Sequence, residues 1–496
     1  MSDFPQGERP NILLIMADQH RGDCLGLEGH PVLQTPHLDE IGGRGVQFSR
    51  TYSPCPTCIP ARRSLMSGQF SSTHGLVGMD GKTAHFEWNP EATLPGELSR
   101  AGYQTFLVGR PMHQYPLRKR YGYQHMEYSR LAGNDLQTRY TELLLREDPM
   151  SRGFGHGISS NGWTARPWHL DERLHEVYWT VSEGIRFLNQ TRDPSCPFFL
   201  TVNFCGPHPP FVPPAFYLDR YLRMELPAPA IGDWAEAPAR HGLGLGVDSD
   251  RTELTGEALR ICLAGYYANI NYIDDQIHRL FRWGGKTLRK NTVVIYTSDH
   301  GEMLGDHYFF KKALPYEGSA RIPLLIRGTP DLGFTPGDII EAPVSLPDLM
   351  PTLLELAGCD IPPSVEGKSL LPFLRGKKDV PWRPYLHGEH SWCYRPEQAN
   401  HFLTDGRQKY IWFSQTGREQ FFRLDEDPFE CLDLIDAPEH ARSIALWRGR
   451  MIETLNGRPE GFVENHQLVA GKPHVPLIPD ASDIVTSGNK QEAKHE

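Results

Sequence analysis

The sequence predicts an α/β fold: an α/β/α sandwich on a mainly parallel central sheet, followed by a smaller C-terminal α+β unit with an antiparallel sheet. Three observations predict it. The apolar runs Asn11–Asp18 and Asn291–Asp299 show no polar alternation and read as strands buried on both faces, as in a parallel sheet. Segments of helical spacing alternate with such runs through the first two thirds of the chain. Beyond Gly358 the texture changes to short strands set between polar turns.

Each element has its own signal. Pro10 and Asp18 bound the first strand. Leu94–Ala101 and Tyr178–Leu188 have helical spacing and lead into the predicted strands Tyr103–Gly109 and Pro197–Phe204. Ala264–Phe281 is an amphipathic helix that feeds the Asn291 strand, and Ser345–Ala357 is a helix closed by Gly358. Gln408–Phe413 and Gln420–Leu424 are the clearest short strands. Charge and glycine at Gly376-Lys-Lys-Asp set the expected division: a long domain over 1–376, a small antiparallel-sheet domain over 377–465, and a Pro- and polar-rich tail or arm over 466–496.

Composition bounds the function. A chain of 496 residues with 39% hydrophobic and 23% charged residues is neither disordered, collagen-like nor coiled coil. Its 51 Lys+Arg against 61 Asp+Glu leave a net charge of −10, which speaks against nucleic acid as a partner and requires any anion site to be built locally. Nine scattered cysteines are too few for a disulfide framework, so a reducing compartment is expected. The first apolar run is only strand length and no run reaches the ~18 residues of a membrane span. The expectation is a soluble cytoplasmic protein without membrane contact.

Two buried strands end in a carboxylate followed by a second ligating residue, Asp18-Gln19 and Asp299-His300. Ligands bind beyond the carboxyl ends of parallel strands, so the two pairs can converge on a divalent cation; read singly, each aspartate also suits a helix cap or turn. The stretch Cys58-Ile-Pro60-Ala-Arg62 is the most informative. Pro60 at a first helical position would leave Cys58 at the helix N-terminus, where an anion is stabilised, with Arg62 turned back to the same spot. A zinc or redox reading of Cys55 and Cys58 lacks a second cysteine pair.

These residues carry a family resemblance. Cys58-Ile-Pro60-Ala-Arg62 followed by Ser-Leu-Met-Ser-Gly68 resembles the Cys-x-Pro-Ser/Ala-Arg signature of the type I sulfatases of the alkaline-phosphatase superfamily. Thr35-Pro-His-Leu-Asp39, Gly206-Pro-His208, Ser298-Asp-His-Gly-Glu-Met-Leu-Gly305, Lys312-Ala-Leu-Pro-Tyr-Glu317 and Leu424-Asp-Glu-Asp-Pro extend the match in order over most of the chain.

The resemblance implies an alkaline-phosphatase-like fold and hydrolysis of a sulfate monoester. Cys58 would become formylglycine through a formylglycine-generating enzyme. Asp18, Gln19, Asp299 and His300 with the modified Cys58 would hold one divalent metal, Ca²⁺ first, Mn²⁺ or Zn²⁺ as alternatives. Arg62 would hold the formylglycine and neutralise charge on the transferred group, Lys312 would contact sulfate, and His208 would protonate the leaving alcohol. The usual Gly-Lys-x-His pattern departs here to Gly109-Arg110-Pro111-Met112-His113, so Arg110 is expected at the sulfate or in a salt bridge and His113 as the base that releases sulfate. The Asp-Gln and Asp-His pairs look like the choline-sulfatase and phosphonate-monoester-hydrolase branches. A phosphonate monoester or phosphodiester hydrolase is therefore the close rival, and an unconverted anion-binding protein the second alternative.

For substrate, the segment 114–176 with Tyr115, Arg118, Arg120, Tyr121, His156, Trp163, Arg166, Trp168 and His169 would either line a pocket for a sulfated sugar or pack a satellite core. Lys311 is expected on the surface. In relatives the second domain helps close the site or joins subunits, which places His387, Glu389 and His390 near the pocket and makes the tail a candidate oligomerisation arm.

Overall fold

A computed structural model of the chain describes residues 9–80, 87–113, 115–129, 138–149, 157–238, 246–285, 288 and 290–478. Its centre is an eight-stranded sheet of β1 (Asn11–Asp18), β2 (Val46–Phe48), β3 (Gln104–Gly109), β4 (His125–Tyr128), β5 (Phe198–Pro207), β6 (Thr292–Ser298), β7 (Leu324–Arg327) and β8 (Asp338–Ile340), in the order β4-β3-β5-β1-β6-β7-β2-β8. All neighbours are parallel except β7, which runs against β6 and β2. The predicted fold class therefore stands.

Period two explains why β1 reads as one continuous apolar run. Leu13, Ile15 and Ala17 enter one core with Ile270, Ile273 and Ile277 of the helix Gly256–Trp283. Ile12, Leu14 and Met16 enter the other with Ala61, Leu65 and Leu353. Helices thus cover both faces, and no position on the strand is left to be polar.

A second sheet comprises β9 (Leu386–His390), β10 (Asn400–Thr404), β11 (Gln408–Phe413) and β12 (Glu419–Arg423), all antiparallel. The helix Ala441–Leu455 packs on it through Ile444, Trp447, Met451 and Leu455. Of the tail or arm expected over 466–496, the described part packs back onto the chain. After a short hairpin at 463–468 the chain returns to the large sheet's side, where Val77 N–H donates to Pro476 O at 2.8 Å and Ile478 N–H to Gly75 O at 2.9 Å. Residues 479–496 lie outside the described residues. Among the described residues no helix is long and apolar enough to cross a membrane.

Candidate active site

Strand order assembles the site. β1 lies between β5 and β6, with Ala17 paired to Ser298 and Asp18 to Pro207. The residues just past three strand ends, 18–19, 208 and 299–300, consequently share one carboxyl edge, and Gln19 N–H donates to Asp299 Oδ1 at 3.1 Å across 280 residues of sequence. β3 brings Arg110 to the same edge. The glycine before it is required: Gly109 has φ 104°, and a Cβ there would fall 1.9 Å from Asn203 O.

The helix Cys58–Ser67 delivers Cys58 to this edge, with Thr57 as N-cap. It starts two residues earlier than a Pro60 at the first position would require; Pro60 still falls in the first turn, where its missing N–H has no intrahelical acceptor. Asp18, Cys58, Asp299 and His300 are buried and present ligand atoms that all lie within 4.8 Å of one another. Cys58 Sγ is 3.2 Å from Lys312 Nζ, 3.3 Å from His300 Nε2 and 3.7 Å from Asp18 Oδ1. His300 Nδ1–H donates to Gly301 O at 2.8 Å, which leaves Nε2 turned to the cluster.

Gln19 is held by a residue that sequence reasoning missed. Its Nε2 donates to Glu302 Oε2 while its Oε1 accepts from Lys312 Nζ at 3.0 Å. Glu302 Oε1 accepts from Leu304 N–H at 2.9 Å and from Lys311 N–H. One buried carboxylate thus sets the amide of Gln19 and the turn that carries Lys312. The available signal was its place three residues after Asp299 in an otherwise apolar, glycine-rich stretch.

Arg62 departs from its expected contact. It is fully buried, donating from Nη2 to Asp18 Oδ2 at 2.7 Å, from Nε to Asp299 Oδ2 at 2.8 Å and from Nη1 to Pro111 O at 3.2 Å. It clamps the two carboxylates together and does not line the adjoining cavity of about 340 Å³. Arg110 and Lys312 do line it, and Arg110 Nη1 also pairs with Asp18 Oδ2 at 2.6 Å. The salt-bridge reading of Arg110 is therefore met, on a side chain that also borders the cavity.

Charge shapes the titration. Burial opposes it, yet Arg110, Arg62 and Lys312 hold Asp18 far below the usual carboxylate range. Burial and Asp18 push the Cys58 thiol up, but Lys312, Arg110 and His300 outweigh them and bring it down to about 7. Burial, Lys312 and Arg110 keep His208 well below its ordinary value. Its Nδ1–H donates to Pro209 O at 2.7 Å, so the neutral ring offers a bare Nε2, and the residue lines the cavity.

His113 also lines the cavity, but its Nε2–H donates to Pro116 O at 2.8 Å and its ring packs edge-on against Tyr121. The imidazole in contact with Cys58 is that of His300. Lys311, expected on the surface, lines the cavity with Nζ 5.1 Å from the centre of the Tyr394 ring. Its left-handed backbone, φ 70°, breaks the alternation that would point neighbouring side chains apart.

Of the aromatic and cationic residues picked out in 114–176, Trp168 lines the cavity. Tyr121 packs on Trp88 and Trp163 on Phe310, which places them in the two main cores and not in a satellite core. His156 lies outside the described residues. From the C-terminal sheet it is Cys393 and Tyr394, just past β9, that line the cavity, and not His387, Glu389 or His390. His390 acts one step away: Thr57 Oγ1, the residue before Cys58, lies 2.9 Å from its Nε2.

Comparison with known proteins agrees with this geometry. The Sulfatase family model matches residues 10–359, and the model for the C-terminal region of N-sulphoglucosamine sulphohydrolase matches residues 305–456. The chain belongs to the sulfatase family. An arylsulfatase of Clostridium perfringens is 39% identical to this sulfatase over 481 residues, spanning 94% of this chain and 98% of the relative. A choline-sulfatase of Rhizobium meliloti is 30% identical over 442 residues, spanning 87% and 83%. Among solved structures, the phosphonate monoester hydrolase of Agrobacterium radiobacter has a TM-score of 0.72 at 24% identity over 94% of this chain and all of that one. A protein solved with its substrate D-glucosamine-2-N,6-O-disulfate has a TM-score of 0.71 at 22% identity over 90% and 97%. By its family the sulfatase is a sulfuric ester hydrolase, and its fold is that of the alkaline-phosphatase superfamily.

Proposed function

We propose that this sulfatase hydrolyses sulfate monoesters of small alcohols, sulfated sugars foremost, with Cys58 converted to formylglycine by a formylglycine-generating enzyme. The observation that carries the proposal is the surrounding of Cys58: two carboxylates, an imidazole and an ammonium within 4.8 Å of its neighbourhood, opening on a cavity with further cations. Carboxylate oxygens of Asp18 and Asp299, the amide oxygen of Gln19 and Nε2 of His300 fit one divalent cation together with the modified Cys58. The oxygen majority favours Ca²⁺; the imidazole keeps Mn²⁺ and Zn²⁺ as alternatives. When present, the hydrated aldehyde would supply the nucleophilic oxygen, and the ion would ease its deprotonation and polarise the ester.

The protein's own side chains divide the remaining work. Arg62 keeps the two carboxylates at a fixed spacing. Arg110 and Lys312 bind the sulfate oxygens and offset charge that builds on them. A bound sulfate also relieves the two cations that depress His208, so its Nε2 can take up a proton and give it to the departing alcohol oxygen. Release of sulfate needs a base. His113 is our candidate, since burial lowers it to about 4 and so keeps it neutral near pH 7, and its Nδ1 has no partner among the described residues.

Mass spectrometry of the peptide containing Cys58, from a host able to convert it, is expected to show the aldehyde; an intact thiol with full turnover would overturn the proposal. Side-by-side rates for an aryl sulfate, sulfated monosaccharides, an aryl phosphonate monoester and a phosphodiester should favour sulfur. A preference for phosphorus would give the site to the rival reaction. Cys58→Ala should lose at least ~10⁴-fold in kcat, and His208→Ala ~10²-fold or more on alkyl sulfates while sparing nitrophenyl sulfate.

A further inference from the structure

A second group of ligating side chains lies in the C-terminal sheet, away from the cavity. His387 and Glu389 are two apart on β9 and share a face of the strand, and His401 on β10 pairs directly with Glu389. His474, beyond the 463–468 hairpin, lies over the same face. His387 Nε2 is 3.2 Å from His401 Nδ1, which is 3.7 Å from Glu389 Oε2. The ligand atoms of Glu389, His401 and His474 fall within 4.8 Å of one another. These three residues are 0%, 0% and 3% exposed. His474 commits Nδ1 to Ser414 Oγ at 2.9 Å, and its Nε2 has no partner among the described residues; the same holds for Nε2 of His401. Unpaired buried nitrogens are costly, and apolar packing gives no reason to keep them.

We propose that Glu389, His401 and His474 form a second metal site, away from the cavity, selective for a borderline transition metal such as Zn²⁺. Two imidazoles and one carboxylate are a zinc-type donor set, with the fourth tetrahedral position left to a water. Ligands about 2.0–2.2 Å from a tetrahedral ion stand about 3.3–3.6 Å apart, and His401 Nδ1 and Glu389 Oε2 at 3.7 Å are close to that. Arg458 donates to both oxygens of Glu389 at 3.1 and 2.9 Å and also pairs with Glu460. It orients the carboxylate from outside, and the trio of one guanidinium and two carboxylates retains a negative charge for the ion. The ion would tie the returning C-terminal segment to β9. That strand continues into His390, which holds Thr57, and on to the cavity residues Cys393 and Tyr394.

The test uses the full-length protein with the cavity site disabled by Asp18→Asn. After chelation and dialysis, Zn²⁺ is added back, and the protein-bound metal is counted by mass spectrometry after gel filtration. One zinc per chain is expected in Asp18→Asn, and none in Asp18→Asn combined with His474→Ala or the milder His474→Gln. Co²⁺ in Asp18→Asn should give the intense visible bands of a tetrahedral ion, lost in the same double variants. Zinc should raise Tm by several degrees in Asp18→Asn and leave the His474 variants unmoved. Asp18→Asn that retains no zinc and shows no cobalt bands would overturn the site in favour of a plain imidazole ladder, whether or not the double variants fold. An unchanged zinc count in folded His474→Gln would overturn it equally.

Discussion

Two groups of buried charges differ in how they are closed. At the strand ends, Arg62, Arg110 and Lys312 face Asp18 and Asp299, and two of the three cations also line a cavity. Under the C-terminal sheet, Lys409 faces Glu317 and Glu430 at 2.7 and 2.8 Å, takes Pro315 O at 2.9 Å as a further acceptor, and has no exposure, while Arg321 Nε stands 3.7 Å from Glu317. The first group has positive charge to spare and a route for an anion to reach it. The second is spent internally and serves as a joint. Burial of charge alone therefore does not mark a functional site; an excess of one sign next to open volume does.

The contrast is sharpest in substitutions of the two lysines. Lys409→Met takes the shared cation from Glu317 and Glu430, leaving Arg321 at 3.7 Å from the former, and should cost ~3–5 kcal/mol of stability. Burial already pushes Glu430 up to about 7 despite Lys409. Glu317, which burial would raise, is held below the usual range by Lys409 and Arg321; without the lysine both acids would move up, so the folded state would hold protons that the unfolded chain releases above its ordinary pKa. The deficit should shrink as pH falls from 8 toward 5, as denaturant midpoints at each pH would show. A deficit equal at both ends would mean that Lys409 acts by packing.

Lys312→Met should reverse the pattern, losing ~10²–10³-fold in kcat/KM for an aryl sulfate with little change in the denaturant midpoint. Loss of folding in place of activity would erase the distinction between the two groups. Next in size is Glu302→Gln, which can no longer dictate which end of the Gln19 amide faces the site. A ~10–100-fold weaker metal affinity by calorimetry is expected, with kcat restored at saturating metal. Unchanged affinity would make Glu302 a loop brace only. Smallest is Tyr394→Ala at the cavity wall, expected to raise KM for sulfated sugars several-fold while leaving kcat and inorganic sulfate inhibition nearly unchanged. A fall in kcat alone would move Tyr394 into the chemistry.

Legibility in the sequence followed the physics of each signal. β1 and β6 were readable because burial on both faces demands an unbroken apolar run, and the Asp18 and Asp299 ends were readable because parallel strands expose their carboxyl ends to ligands. The cysteine segment was readable through its family signature. Roles that depend on direction were not. Arg62 turns inward to the carboxylates and Lys311 reaches the cavity on a left-handed residue, neither of which leaves a compositional trace, while Glu302 works through an amide and offered only its place after Asp299. The helix Ala441–Leu455 did carry a stripe, Ile444, Trp447, Met451 and Leu455, that went unread. The returning segment near Pro476 is held by backbone hydrogen bonds, which any sequence of similar polarity could make.

The pairing of β1 with β6 also has a consequence in time. A chain made from its N-terminus cannot close the site until residue 299 has emerged, some 240 residues after Cys58. At ~5–20 residues per second that delay is ~10–50 s. In the finished protein Cys58 is 2% exposed, beneath Lys312 and His300. The conversion proposed for Cys58 would therefore be easiest while the polypeptide is still being made, and a faster translation rate or a prematurely completed sheet should then lower the converted fraction.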